Sequence, residues 1–141
     1  MAHPIHPMFV HFPIACWSIA TIADVVNLIF GVQTWWLSGV LLTIGIITAL
    51  VAMLAGLIDL AKIDEKSPAF KIVNWHIFFV VISWVSYTAS LSMRVKSNHI
   101  IEPNIVAVLF SIMGFLILSI VGWLGGKLVY EYGVGTSKQK D

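Results

Sequence analysis

The chain has 141 residues, enough for one domain, and it combines 59% hydrophobic residues with only 11% charged residues. Its mean hydropathy of +0.94 excludes an ordinary water-soluble fold, because a core of this size cannot bury so much apolar surface. The formal net charge of +1 gives no support for nucleic-acid binding. The composition therefore indicates an integral membrane protein.

Four apolar segments each approach the ~20 residues that a helix needs to cross the hydrocarbon layer. They cover residues 8–30, 35–58, 73–93 and 103–126, and the first contains one charge, Asp24, whereas the others contain none. Continuous apolar runs of this length are typical of spanning helices and not of barrel strands. The connections are short, so the sequence predicts a single all-α domain, an up-down four-helix bundle without an evident internal repeat.

An even number of spans places both termini on one side of the membrane. The lysines of that side are Lys62, Lys66, Lys71, Lys127, Lys138 and Lys140. The opposite side carries only Arg94 and Lys96. Because positive residues mark the cytoplasmic face, we expect both termini in the cytoplasm and the protein in a bacterial inner membrane.

Ionisable side chains inside spans are functional candidates, because they are costly in lipid. His11 lies about one turn inside the first segment, and His76 lies about one turn inside the third if that helix begins near Ile72. The two helices run parallel in an up-down bundle, so we expect both imidazoles at matching depth. Helical spacing also predicts an inward polar stripe on the third span, formed by His76, Ser83, Tyr87 and Ser90.

Imidazole is a common axial ligand of haem iron, and bundles hold cofactors between facing helices. The leading hypothesis is a b-type haem bound by His11 and His76, in an electron-transfer protein or oxidoreductase that acts with quinone, a reactive oxygen species or a respiratory partner. Lys71 and Lys127 are expected to hold the haem propionates, together with Lys62. His6 and Tyr130 are also expected at the cofactor, and His6 and His99 are the next candidates for an axial ligand. A homodimer is expected as well, because one small bundle encloses a porphyrin poorly.

Two other interpretations stay open. The histidines and tyrosines could serve helix packing, in a non-enzymatic membrane subunit or assembly partner. His3, His6 and His11 could instead bind Zn or Cu at the His-Pro-rich N-terminus, in a metal-binding or transport protein. His99 is expected to be solvated in a loop.

The remaining polar and small residues of the spans have structural explanations. Asp24 and Asp59 lie near helix ends and are expected to reach interfacial water, with a proton relay as the alternative. Gly122 and Gly126 form a small-xxx-small pair that permits close helix approach within a protomer or across a dimer. Cys16 is expected to act as a small buried hydrophobe.

Three motifs resemble those of a widespread bacterial family of small four-helix membrane proteins of unknown function. They are HPMFVHFPIA from residue 6, GLIDL from residue 56 and GWLGGKLVYEYGVGT from residue 122. The resemblance covers nearly the whole chain and implies the four-helix fold, but it implies no activity. The motif residues that it carries over are His6, His11, Pro13, Asp59, Gly125, Gly126 and Tyr130. This chain has Tyr132 where members of that family carry a histidine, so a ligand at that position would need a replacement.

Overall fold

A computed structural model of the chain describes residues 6–60 and 63–134. Four long helices and one small β-hairpin make up this part of the chain. The helices are α1 (His6–Phe30), α2 (Trp35–Leu60), α3 (Pro68–Ser92) and α4 (Ile105–Tyr130), and the strands are β1 (Val95–Lys96) and β2 (His99–Ile100). All four helices are long and apolar enough to cross a membrane. The predicted all-α four-helix membrane bundle is confirmed.

Capping groups set the start of α3 differently from the predicted segment. The helix begins at Pro68 rather than near Ile72, because proline fits the first helical position and the Ser67 hydroxyl accepts a hydrogen bond from the Ala69 backbone N–H. The expectation that His76 lies one turn inside α3 was therefore wrong. It lies about two turns inside.

Left-handed backbone closes two helices and the β-hairpin. Gly31 ends α1 with a φ of 65°, and its N–H donates to the Asn27 carbonyl. Gly133 follows α4 with a φ of 67°. This helix ends at Tyr130, whereas the predicted segment ended at residue 126. Ser97 and Asn98 connect the two strands with φ values of 48° and 62°, as a two-residue type I′ turn requires.

The helices form two antiparallel hairpins, α1–α2 and α3–α4, that pack side by side. The "terminal end" is the end at which α1 and α3 begin and α2 and α4 finish, and the "turn end" is the opposite one. Across the centre, Trp17 of α1 stacks on Tyr87 of α3 with ring centroids 4.5 Å apart and planes inclined by 19°. The buried residues around this stack are Ala20, Leu42, Ala49 and Leu118.

A buried polar network around Arg94 holds the turn end together. The guanidinium donates to both carboxylate oxygens of Asp24 on α1, at 2.8 and 3.0 Å, and both side chains are fully buried. It also donates to the hydroxyls of Ser38 on α2 and Ser90 on α3, while its Nε donates to the Ser90 carbonyl. Ser111 on α4 donates to Asp24 at 2.8 Å. All the N–H donors of Arg94 therefore have acceptors, and the network joins four helices.

This network corrects the expectation that Asp24 reaches interfacial water. Asp24 is 0% exposed, and so is Arg94, which follows α3. A charge inside a membrane protein needs a partner, because desolvation costs several kcal/mol per ion. The two residues satisfy each other across the bundle, and no proton relay has to be invoked to explain Asp24.

Removing one member of the pair should destabilise the protein strongly, because the other charge stays buried without compensation. We expect Arg94→Met and Asp24→Leu each to lower the free energy of unfolding by about 3–5 kcal/mol, and the double variant to recover much of that loss. Thermal unfolding in detergent measures the effect. Lys96→Met, an exposed charge at the same end, is the matched control and should change stability by less than about 0.5 kcal/mol. If Arg94→Met melts like this control, the network does not hold the turn end.

Two glycines allow the central aromatic stack to press against neighbouring helices. A Cβ at Gly45 of α2 would lie 2.5 Å from two ring atoms of Trp17, and one at Gly114 of α4 would lie 2.9 Å from Tyr87. The rings are stacked on each other, so neither can shift without disturbing its partner. The stack therefore requires glycine at both positions.

We expect Gly45→Ala and Gly114→Ala to lower the free energy of unfolding by about 1–3 kcal/mol, the usual cost of overpacking. Gly122→Ala is the matched control, because nothing lies within 4 Å of its added Cβ and alanine is the better helix former. The same thermal unfolding experiment compares the three variants. Equal melting temperatures for Gly45→Ala and Gly122→Ala would show that the stack tolerates the extra methyl group.

Candidate ligand site between the two hairpins

An apolar cavity of about 450 Å³ lies in the terminal half of the bundle, between the two hairpins. Small-molecule sites typically have volumes of about 300–1,000 Å³, so the cavity can take a ligand. All four helices contribute to its walls, which extend from the terminal end to Trp17 and Ser83 near the middle of the bundle. Among the described residues, the ionisable side chains on these walls are His6, Asp59 and His76.

His6 lies at the start of α1 and faces α2. Its Nδ1 is 2.7 Å from the backbone carbonyl oxygen of Ala52. A carbonyl oxygen only accepts, so Nδ1 carries the proton and Nε2 carries the lone pair of the neutral ring. Histidines that bind metals are commonly oriented by this kind of bond. Gly56 makes room for the ring, because a Cβ there would lie 3.0 Å from Nδ1.

His76 lies on α3 and faces α4, where a glycine lies beside its ring as Gly56 lies beside His6. A Cβ at Gly125 would lie 3.4 Å from Cε1 of the ring, so the imidazole packs directly on this glycine of α4. The Nδ1 atom of His76 is buried and has no hydrogen-bond partner among the described residues. A buried polar atom without a partner costs about 1–3 kcal/mol, so it is one of the signs of a site that receives a ligand.

The two hairpins thus repeat one local arrangement. In each, a histidine of the first helix packs on a glycine of the second helix, His6 on Gly56 and His76 on Gly125. The rings differ in their hydrogen bonding: Nδ1 of His6 is bonded to Ala52, which leaves Nε2 for a ligand, whereas Nδ1 of His76 has no partner among the described residues. The sequence showed no evident repeat, because the duplicated contacts involve few identical side chains.

A common register relates α1 and α3. Two pairs of residues that are 70 positions apart meet across the bundle, Asp24 with Arg94 and Trp17 with Tyr87. His6 and His76 have the same separation and line the same cavity. The register therefore brings the two imidazoles to matching depth at the terminal end.

His11, which the sequence analysis paired with His76, is exposed on α1 and is not among the residues that line the cavity. His6, Pro13 and Trp17 line the cavity because they lie on one face of the helix. His11 is about 140° around the helix from His6. The structure therefore brings His6, and not His11, together with His76.

The other residues that were expected at the haem also lie away from the cavity walls. Lys71 is exposed on the outer face of α3, and Tyr130 is 89% exposed. The Lys127 ammonium lies 3.5 Å from Glu131 and over the ring of Trp123. Lys62, together with His3, lies outside the described residues.

Other predicted positions are accounted for by the same geometry. Ser83, Tyr87 and Ser90 are buried, so the polar stripe predicted on α3 does face the interior. His99 is exposed in β2, as expected. Within residues 6–60 and 63–134 there is no group of three or more His, Cys, Asp or Glu side chains that could hold a metal ion. Gly56, which packs against His6, was not among the predicted site residues, although it begins the GLIDL motif.

Four spanning helices with a ligand-sized cavity between two hairpins define a small polytopic α-helical membrane protein. The chain belongs to the family described as "Predicted membrane protein (DUF2231)", whose model matches residues 2–138. No match was found among curated proteins or among solved structures. The family resemblance noted in the sequence is confirmed. Because its description states no activity, function has to be inferred from the cavity.

Proposed function

We propose that this protein is a membrane b-type cytochrome that binds haem between His6 and His76 and transfers electrons. The observation that carries the proposal is a pair of imidazoles, on two different helices, that line one apolar cavity at matching depth. Histidine pairs are suitable axial ligands for haem iron, and helix bundles place such cofactors between facing helices.

The residues present fit such a group in three respects. His6 is oriented by its bond to Ala52, as metal-binding histidines commonly are. The Nδ1 atom of His76 lacks the partner that a ligand would supply. Gly56 and Gly125 keep space beside the two rings that any larger side chain would fill.

When bound, haem would supply one-electron chemistry. The chain itself positions the two imidazoles, excludes water by the aliphatic walls and places the site in the terminal half of the membrane. An electron partner would therefore approach from the terminal end or from the lipid, which suits a soluble redox protein or a quinone. The excess of lysine at this end supports a cytoplasmic location for both termini.

The test is an absorption spectrum of protein that is expressed with adequate haem and purified in detergent. Dithionite reduction should produce the sharp α band of a b-type haem with two histidine ligands. His6→Ala and His76→Ala should each abolish this band, because each removes one axial ligand, while yield and melting temperature show that the protein is still inserted and folded. His99→Ala removes an exposed histidine at the turn end and should leave the spectrum unchanged.

Two outcomes would contradict the proposal in different ways. If His11→Ala removes the band and His6→Ala does not, the ligand pair is the one that the sequence alone suggested. If the folded wild-type protein is colourless despite haem supply, the cavity does not hold haem. The non-enzymatic assembly partner then becomes the better hypothesis.

A further inference from the structure

A second feature lies outside the cavity, on the outer face of α3 near the terminal end. A shallow groove of about 350 Å³ is lined by Lys71, Asn74, Trp75 and Phe78. Their spacing of three, four and seven residues from Lys71 places them on one helix face. All four side chains are exposed, Trp75 by 48% and Phe78 by 51%. Because α3 is a spanning helix, this groove faces the bilayer.

The groove changes from polar to aromatic along the helix. Lys71 lies near the start of α3, and Phe78 lies about 10 Å deeper along the axis. This places an ammonium and a carboxamide at the level of lipid head groups and the aromatic rings at the level of the upper acyl chains. Trp75 packs edge-on against Phe78 and stacks with Phe79, at centroid distances of 5.7 and 5.9 Å, so the aromatic wall is supported by contacts of its own.

The charge of Lys71 is available to a ligand. The ion pairs of the described residues join Arg94 to Asp24 and Lys127 to Glu131, so neither of them engages Lys71. An ammonium beside a carboxamide offers several N–H donors to phosphate oxygens. A zwitterionic head group brings its own cation, which Lys71 would repel, whereas an anionic head group brings none.

We propose that this groove binds one anionic phospholipid. Its phosphate contacts Lys71 and Asn74, and its upper acyl chains lie against Trp75 and Phe78. The site lies on the opposite side of α3 from the cavity histidine His76, and it does not depend on haem.

Native mass spectrometry of the detergent-purified protein with phosphatidylglycerol or phosphatidylcholine tests this proposal. The wild type should retain one phosphatidylglycerol more tightly than phosphatidylcholine. Lys71→Gln should weaken phosphatidylglycerol binding about fivefold, the equivalent of ~1 kcal/mol for one lysine near an anionic surface, and should leave phosphatidylcholine binding nearly unchanged. Lys66→Gln is the matched control, because Lys66 is exposed at the same end but outside the groove.

Further outcomes distinguish lipid binding in the groove from a general electrostatic attraction of anionic lipids to the lysines of this end. Trp75→Ala should weaken both lipids, because it removes the acyl-chain wall. Equal losses in Lys66→Gln and Lys71→Gln, or no preference for phosphatidylglycerol in the wild type, would overturn the proposal. Displacement of the lipid by excess inorganic phosphate would assign the site to a free anion and would also overturn it.

Discussion

The buried pair of Arg94 and Asp24 is the constraint on which the rest of the structure depends. Neither charge can be left alone in a low-dielectric interior, so the turn end must bring α1 and α3 to one particular register. Serine hydroxyls from α2, α3 and α4 complete the hydrogen bonding, and this adds the other helices to the same alignment. In a bundle of apolar helices surrounded by lipid, such a network distinguishes one packing from many similar ones.

That register has consequences at the other end of the helices. His6 and His76 lie 18 residues before Asp24 and Arg94, respectively, so the ion pair sets the imidazoles at equal depth about 27 Å away along the axes. The stacked rings of Trp17 and Tyr87 lie between the two levels, where the helices are in close contact. Between the stack and the terminal end, glycines and aliphatic side chains leave the cavity open between the hairpins. The turn end thus stabilises the fold, and the terminal end is free to bind a ligand.

Hydropathy was sufficient to predict four spans and an up-down bundle, because backbone hydrogen bonding in lipid leaves few alternatives. The polar stripe on α3 was also predictable, since Ser83, Tyr87 and Ser90 follow a helical period. That His6, and not His11, lines the cavity with His76 did not follow from the sequence, because the helical phase of α1 relative to α3 depends on a tertiary contact. Arg94 lies just beyond an apolar segment, so the sequence indicates only a positive charge on one side of the membrane and not a buried ion pair. The signal was present in the equal spacing of Asp24, Arg94, His6 and His76.

The central claim is that two imidazoles, one from each hairpin, act together on a single ligand. Low-temperature electron paramagnetic resonance of the oxidised, haem-loaded protein tests it most directly, because the spin state of ferric haem depends on its axial ligands. We expect a low-spin ferric signal typical of two imidazole ligands in the wild type, and its loss in His6→Ala. A high-spin signal in the wild type, or a low-spin signal that persists in His6→Ala, would contradict the claim.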